Sequence, residues 1–213
     1  MPVRKIGLCY RSVGGRVPMG PGRRGVDVES TLERDFALLQ RFDLAVATLE
    51  EQPVRIRLPG GGSYVPDFLV TYRDARPPRL VEVKYSTDKA LLAGELEARF
   101  AAARAYAADM GWRFEVATEQ AIRTARLENA KFLLPYRDRS VPAGRRDALI
   151  ASVRLARVLT VRELAASGPE SAAGAPALLP DVWTLVARLE LAADLDQPVA
   201  ATTPLTLPRE RSP

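Results

Sequence analysis

The sequence predicts an α/β protein, a mixed sheet flanked by helices, followed by a small helical domain that closes on a hairpin. Three observations carry this expectation. Short runs rich in β-branched and aromatic residues, at 52–58, 63–72, 79–85 and 112–118, are interleaved with amphipathic helical patterns. The first two runs flank a Gly60-Gly61-Gly62 turn, and the last two are separated by an alanine-rich helical stretch, the order of a β-α-β crossover. After Tyr136 the composition changes to a basic linker and three short helical segments.

The elements follow in order. Residues 1–26 combine Arg4, Lys5, Arg11, Arg16, Arg23 and Arg24 with Gly14, Gly15, Gly20, Gly22 and Gly25 and show no periodicity, so a flexible basic arm is expected. Ser30-Thr31-Leu32-Glu33 matches a capping box, and Leu32, Phe36, Leu39 and Phe42 follow at helical spacing, which predicts a helix over 31–42. Val54, Ile56 and Leu58 alternate with polar residues as a half-buried strand does. Residues 63–72 read as the returning strand and 79–85 as a third. A helix over 88–109, broken near Gly94, leads to the strand 112–118. Beyond a basic linker at 137–147, helices are expected over 147–158, 161–166 (opened by the capping box Thr160-Val161-Arg162-Glu163) and 181–191. A Gly/Pro-rich loop separates the last two, and a hairpin is expected over 199–207. Helix, helix, helix and hairpin is the order of a winged helix, so 148–208 reads as a winged-helix-like domain and 209–213 as a tail.

Composition narrows the chemistry. The 213 residues contain no histidine, which excludes Ser-His-Asp and Cys-His relays, imidazole bases and His-ligated metals. Cys9 is the only cysteine, so an internal disulfide or thiolate cluster is excluded and a reducing, cytoplasmic setting is expected. No stretch is long and apolar enough to span a bilayer, and no membrane partner is expected. Catalysis must then use carboxylates, lysine, tyrosine or a metal ion. The net charge of +5 is unevenly spread: segments 1–26 and 121–157 carry +6 each, 27–120 carries −4 and 167–213 carries −3. Basic flanks around an acidic centre suit a polyanion gripped at its edges with a cation held between, although solvated surface charge would give the same count. Arg123, Arg126, Lys131, Arg145 and Arg146 are the candidate DNA contacts in the second basic segment.

The acidic centre carries the candidate site. Pro66-Asp67 is followed fifteen positions later by Glu82-Val83-Lys84. On a strand, Glu82 and Lys84 share one face and Val83 turns into the core. If the strand ending at Asp67 pairs with it, two carboxylates and an ammonium converge. That donor set recruits a hard divalent ion such as Mg²⁺, with Mn²⁺ as a substitute, to activate water against a phosphodiester. Glu33 lies upstream on the first helix and has two readings: a capping glutamate at the surface, or a metal ligand facing the sheet.

Pro-Asp followed by Glu-x-Lys is the signature of the PD-(D/E)xK nucleases, and the element order resembles the restriction-endonuclease-like core. More specifically, Glu29-Ser30-Thr31-Leu32-Glu33-Arg34-Asp35-Phe36, Arg41-Phe42-Asp43, Glu51-Gln52-Pro53, Tyr64-Val65-Pro66-Asp67-Phe68-Leu69-Val70 and Val81-Glu82-Val83-Lys84 resemble the N-terminal nuclease domain of TnsA-type endonuclease subunits of heteromeric, Tn7-like transposases. Trp112 to Glu119 and Leu127 to Leu133 resemble the end of that domain, placing a nuclease domain at 27–136. The resemblance implies catalytic roles for Glu33, Asp67 and Lys84, Glu82 beside the metal, and a Val83 carbonyl ligand. It also implies double-stranded DNA at transposon ends as substrate, with an integrase-type transposase subunit and an AAA+ ATPase regulator as partners.

The leading expectation is thus a metal-dependent DNA endonuclease that cuts one strand at transposon ends. The alternatives are a stand-alone restriction or repair nuclease with the same site residues, and a non-catalytic DNA-binding or regulatory module. The acidic tail domain and the single arginine of 181–191 speak against DNA reading by that domain. It is expected instead to dock a protein partner through Trp183, Val186, Leu189 and Leu195.

Overall fold

The structure, a computed structural model, describes residues 14–167 and 178–208. It divides into two compact units, residues 1–124 and 125–213.

In the first unit, β1 (Gly15–Val17) and β2 (Val26–Val28) form an antiparallel hairpin that leads into α1 (Thr31–Phe42). Ser30 caps α1 as expected, its hydroxyl accepting from the Glu33 amide. The four-stranded sheet has the order β3 (Val46–Glu51), β6 (Phe68–Tyr72), β7 (Arg79–Val83), β8 (Arg113–Ala117). β3, β6 and β7 pair antiparallel, and β8 lies parallel to β7. The sheet is therefore mixed, as expected. The parallel step needs a crossover, supplied by α2 (Lys89–Leu92) and α3 (Glu97–Asp109). Their break falls at Gly94, whose φ of +73° a side chain would strain.

Alternation along β7 sorts the core into two layers. Val81 and Val83 pack with Leu32, Phe36, Phe68 and Val70 on the α1 side, whereas Leu80 packs with Phe100, Ala103 and Ala107 of α3. Phe36 stacks on Phe68 with ring centroids 5.3 Å apart.

Three expectations for this unit are corrected. The stretch 52–58 does not enter the main sheet. β4 (Ile56–Arg57) pairs only with β5 (Ser63–Tyr64), and the sheet strand before it is β3, where Glu50, Glu51 and Thr48 broke the apolar pattern. Residues 63–72 are two strands, interrupted at Val65-Pro66-Asp67 because proline cannot donate to a ladder. The basic arm is not free chain over 14–26: Val17, Met19 and Val26 are buried in the α1-side core, residues that the surrounding glycines concealed. Residues 1–13, including Cys9, lie outside the described residues.

α4 (Glu119–Ile122) closes the first unit, and α5 (Ala125–Arg137) opens the second. The boundary thus falls at 124/125 instead of 136. α5 packs against α8 (Leu179–Ala187), burying Leu127, Ala130 and Leu133. Its buried Asn129 donates to the carbonyls of Leu195 and Gln197, each at 2.8 Å, and accepts from the Val199 amide. α6 (Ala143–Ala156) starts within the expected linker, and α7 (Val161–Ala166) carries the expected Thr160–Glu163 capping box.

The hairpin expected over 199–207 does not form within that span. β10 (Pro204–Leu205) instead pairs antiparallel with β9 (Leu159–Thr160), and Thr206 bridges to Ala192. The expected apolar docking face is absent as well. Trp183, Val186 and Leu195 are buried and Leu189 is half-buried, since α5, α6 and α7 together cover α8. The tail 209–213 and loop residues 168–177 lie outside the described residues. No helix among the described residues is long and apolar enough to cross a membrane.

Candidate active site

The site forms where β6 and β7 pair and the N-terminal turn of α1 approaches. Asp67 immediately precedes β6, and its Oδ2 accepts from the Val83 amide at 2.7 Å, so backbone pairing fixes the carboxylate against the Glu82-Val83-Lys84 segment. Glu82 is buried and Val83 lies in the α1-side core, as the alternation required. Lys84 Nζ sits 3.0 Å from Glu82 Oε1, and Tyr64 Oη donates to Glu82 Oε2 at 2.6 Å. Both oxygens of Glu82 are therefore engaged.

Glu33 is held within the turn that opens α1. Its Oε2 accepts from the Glu29 amide at 2.7 Å and its Oε1 from the Ser30 hydroxyl at 2.9 Å, so it braces the turn before α1 through Glu29 and not through the Ser30 amide that a capping box uses. Its charge also acts on Asp67, and that of Lys84 acts on Glu33, so the cap and the β6–β7 edge form one electrostatic cluster.

Proton affinities record the crowding. Burial pushes Asp67 well above the usual aspartate range, and the charges of Glu82 and Glu33 push it further. Glu33 is raised too, by burial against its hydrogen bonds to Glu29 and Ser30. Burial pulls Lys84 down, but the charge and hydrogen bond of Glu82, with help from Asp67, outweigh it and hold the ammonium above its ordinary value. The Tyr64 phenol is raised by burial and by Glu82, so it stays a donor.

Three carboxylates around one ammonium leave an excess of negative charge in a protein-lined site. The chemistry of this donor set fits a hard divalent cation. The oxygens are not splayed for one, however: among the described residues no group of three or more Asp, Glu, Cys or His side chains is arranged to hold a metal ion. The hydrogen bonds from Tyr64, Lys84, Ser30 and Glu29 occupy the same oxygens.

Two neighbours were undervalued in the sequence. Tyr64 is buried and its hydroxyl orients Glu82; its place three residues before Asp67, in the preceding short strand, is the signal the sequence offers. Gln52, at the end of β3, donates its backbone amide to the Asp67 carbonyl at 2.7 Å and its Nε2 to Glu29 Oε1 at 3.1 Å, contacts that no local sequence pattern announces. Tyr85 is the exposed tyrosine next to the site, with Arg123 over its ring and Thr31 Oγ1 3.4 Å from its hydroxyl. Tyr72 lies away from it under Arg76.

The five candidate DNA contacts all have acidic partners. Arg123 bonds Asp35 at 2.9 Å, Arg126 chelates Asp196 at 2.7 and 2.8 Å, and Lys131 pairs with Glu128 at 2.9 Å. Arg145 holds the buried Asp181 at 2.8 Å, and Arg146 contacts both Glu190 and Asp147. The +6 of segment 121–157 is thus largely compensated within the fold.

Residues 43–119 match the family profile described as TnsA-like endonuclease N terminal. The matched span contains Asp67, Glu82 and Lys84 and stops short of Glu33 and of the entire second unit. No curated protein matches the chain.

Proposed function

From the match of residues 43–119 to the TnsA-like endonuclease N-terminal family, we propose that the chain is a divalent-metal-dependent DNA endonuclease that cleaves one strand at transposon ends within a heteromeric transposase. The observation that carries this reading is that Asp67 is bonded to the Val83 amide beside the Glu82–Lys84 ion pair, with the charge of Glu33 acting on Asp67, an excess of carboxylate that a structural ion pair does not need.

In this reading Asp67 is the principal ligand for Mg²⁺ or Mn²⁺, with Glu33, Glu82 and the Val83 carbonyl as further candidates. When bound, such an ion supplies Lewis-acid stabilisation of the phosphate and a more acidic water. Glu82, whose two oxygens are engaged by Lys84 and Tyr64, would have to share them to join the ligand set. Lys84, held charged at neutral pH by Glu82 and Asp67, suits a cation that steadies the attacked phosphate and orients water better than a general base. Tyr85 and Arg123, exposed beside the cluster, are suited to the sugar-phosphate flank of the strand being cut.

The second unit is proposed to serve the assembly, meeting the integrase-type transposase subunit or the AAA+ ATPase regulator. Its order of α6, β9, α7, α8 and β10 supports a reduced winged-helix relation. The test is cleavage of transposon-end duplex by the reconstituted transposase: Asp67→Ala or Lys84→Ala chain, shown folded by circular dichroism, should leave the strand assigned to this subunit intact. Wild-type cutting of that strand by either variant refutes the assignment.

A further inference from the structure

Gln52 combines three features that folding alone does not favour. Its φ is +46°, left-handed backbone that a side chain enters at a cost in strain and that glycine would adopt freely. Its Oε1 is buried with no hydrogen-bond partner among the described residues. Its backbone and side-chain donors both run toward the site. The backbone amide donates to the Asp67 carbonyl at 2.7 Å, extending the β3–β6 ladder one step past Glu51–Phe68. The side-chain Nε2 donates to Glu29 Oε1 at 3.1 Å, and the Glu29 amide in turn donates to Glu33 Oε2 at 2.7 Å. Accepting Glu29 fixes which end of the amide is nitrogen and so leaves the oxygen on the unpartnered side.

One residue at the end of β3 thus ties the loop that carries Asp67 to the turn that carries Glu33. These carboxylates come from segments 34 positions apart in sequence, and both are crowded by like charge, which drives them apart. We propose that Gln52 is a positioning residue, a brace that keeps Glu33 and Asp67 in register for a divalent cation, and that strain and an unpartnered oxygen are retained at this position for that purpose. This rests on the nuclease reading above. A residue serving only the fold would be expected to become glycine here, since glycine keeps the amide bond to Asp67, relieves the φ and buries no orphan oxygen.

The test uses the full chain with Gln52→Gly, Gln52→Glu and, as a control on the site itself, Asp67→Asn. Three quantities are read: the melting temperature without metal, the affinity for Mn²⁺ alone by titration calorimetry, and kcat against KM for end-DNA cleavage in the assembled transposase. Gln52→Gly should melt at the wild-type temperature or higher, bind Mn²⁺ at least about tenfold more weakly, and lose roughly 100-fold in kcat at little changed KM, the scale expected for misplaced reacting groups. Gln52→Glu, which sets a carboxylate against Glu29, should show the same loss in kcat. A Gln52→Gly protein that melts lower than wild type while keeping Mn²⁺ affinity and kcat within twofold overturns the brace and makes Gln52 structural. Asp67→Asn separates the two claims: if it too binds Mn²⁺ and cuts as wild type does, the nuclease site itself is misassigned, whereas its inactivity beside a fully active Gln52→Gly removes only the brace.

Discussion

Asp67 is the proposed principal metal ligand, and its proton affinity gives a sign that can be checked. Its folded-state value is raised, so the stability associated with its protonated form is present below the ordinary aspartate value of 3.8 and is lost as pH rises through the folded value. Above that range the metal-free protein holds a crowded, charged carboxylate. Asp67→Asn should therefore melt higher than wild type at pH 8 in EDTA, with the difference shrinking as pH falls; thermal melts from pH 8 to pH 5 check it. Equal or lower melting at pH 8 would mean that the crowding is absent. Lys84→Ala should lose roughly 100- to 1,000-fold in cleavage rate, measured under single turnover, because it removes a preorganised cation from the developing charge. Glu82→Gln should be milder, since an amide still meets Tyr64. The sequence displayed these residues openly: fifteen positions and one strand period brought Asp67, Glu82 and Lys84 together as drawn. It concealed Gln52, whose importance lies in a dihedral angle and a hydrogen bond across to α1, neither of which has a local pattern.

At the scale of elements, β7 is the hinge of the design, because successive residues serve the α1 layer, the α3 layer and the site in turn. Leu80, fully buried in the α3 layer, should cost about 2–5 kcal/mol of stability when cut back to alanine, read by denaturant unfolding. The strands whose pattern alternated cleanly, β7 and β8, were legible, as was α1 from its cap. β3 was not, since an edge strand of the sheet carries Thr48, Glu50 and Glu51 toward exposed or ion-paired positions and so loses its apolar signature. The second basic segment shows a related limit. Charge along a chain says nothing of where the acids fold, and Arg145 turns out to neutralise the buried Asp181. Arg145→Glu should therefore destabilise the second unit, by about 2 kcal/mol or more, before any change in DNA affinity can be read from it. Unchanged unfolding with weakened DNA binding would return Arg145 to the nucleic-acid surface.

For the molecule as a whole, the division at 124/125 assigns every candidate catalytic side chain to the first unit. A fragment ending at Thr124 should keep a cooperative thermal transition and the far-ultraviolet dichroism of a mixed sheet with helices, while losing the assembly-dependent cutting that the second unit is proposed to direct. A fragment that fails to fold would show that α5 belongs to the nuclease core, the boundary the sequence resemblance had suggested. The family match over 43–119 covers the sheet, both short strands and the crossover but not the helix bearing Glu33, so the metal chemistry stands or falls on the protein itself. The most direct measurement is a calorimetric titration of Mn²⁺ into the full chain at pH 7, with Asp67→Asn alongside. Saturable binding by the wild type that is lost in Asp67→Asn is the predicted result; wild-type and Asp67→Asn proteins that bind Mn²⁺ alike, or a wild type that does not bind it, would contradict the assignment of this cluster as a metal-dependent nuclease site.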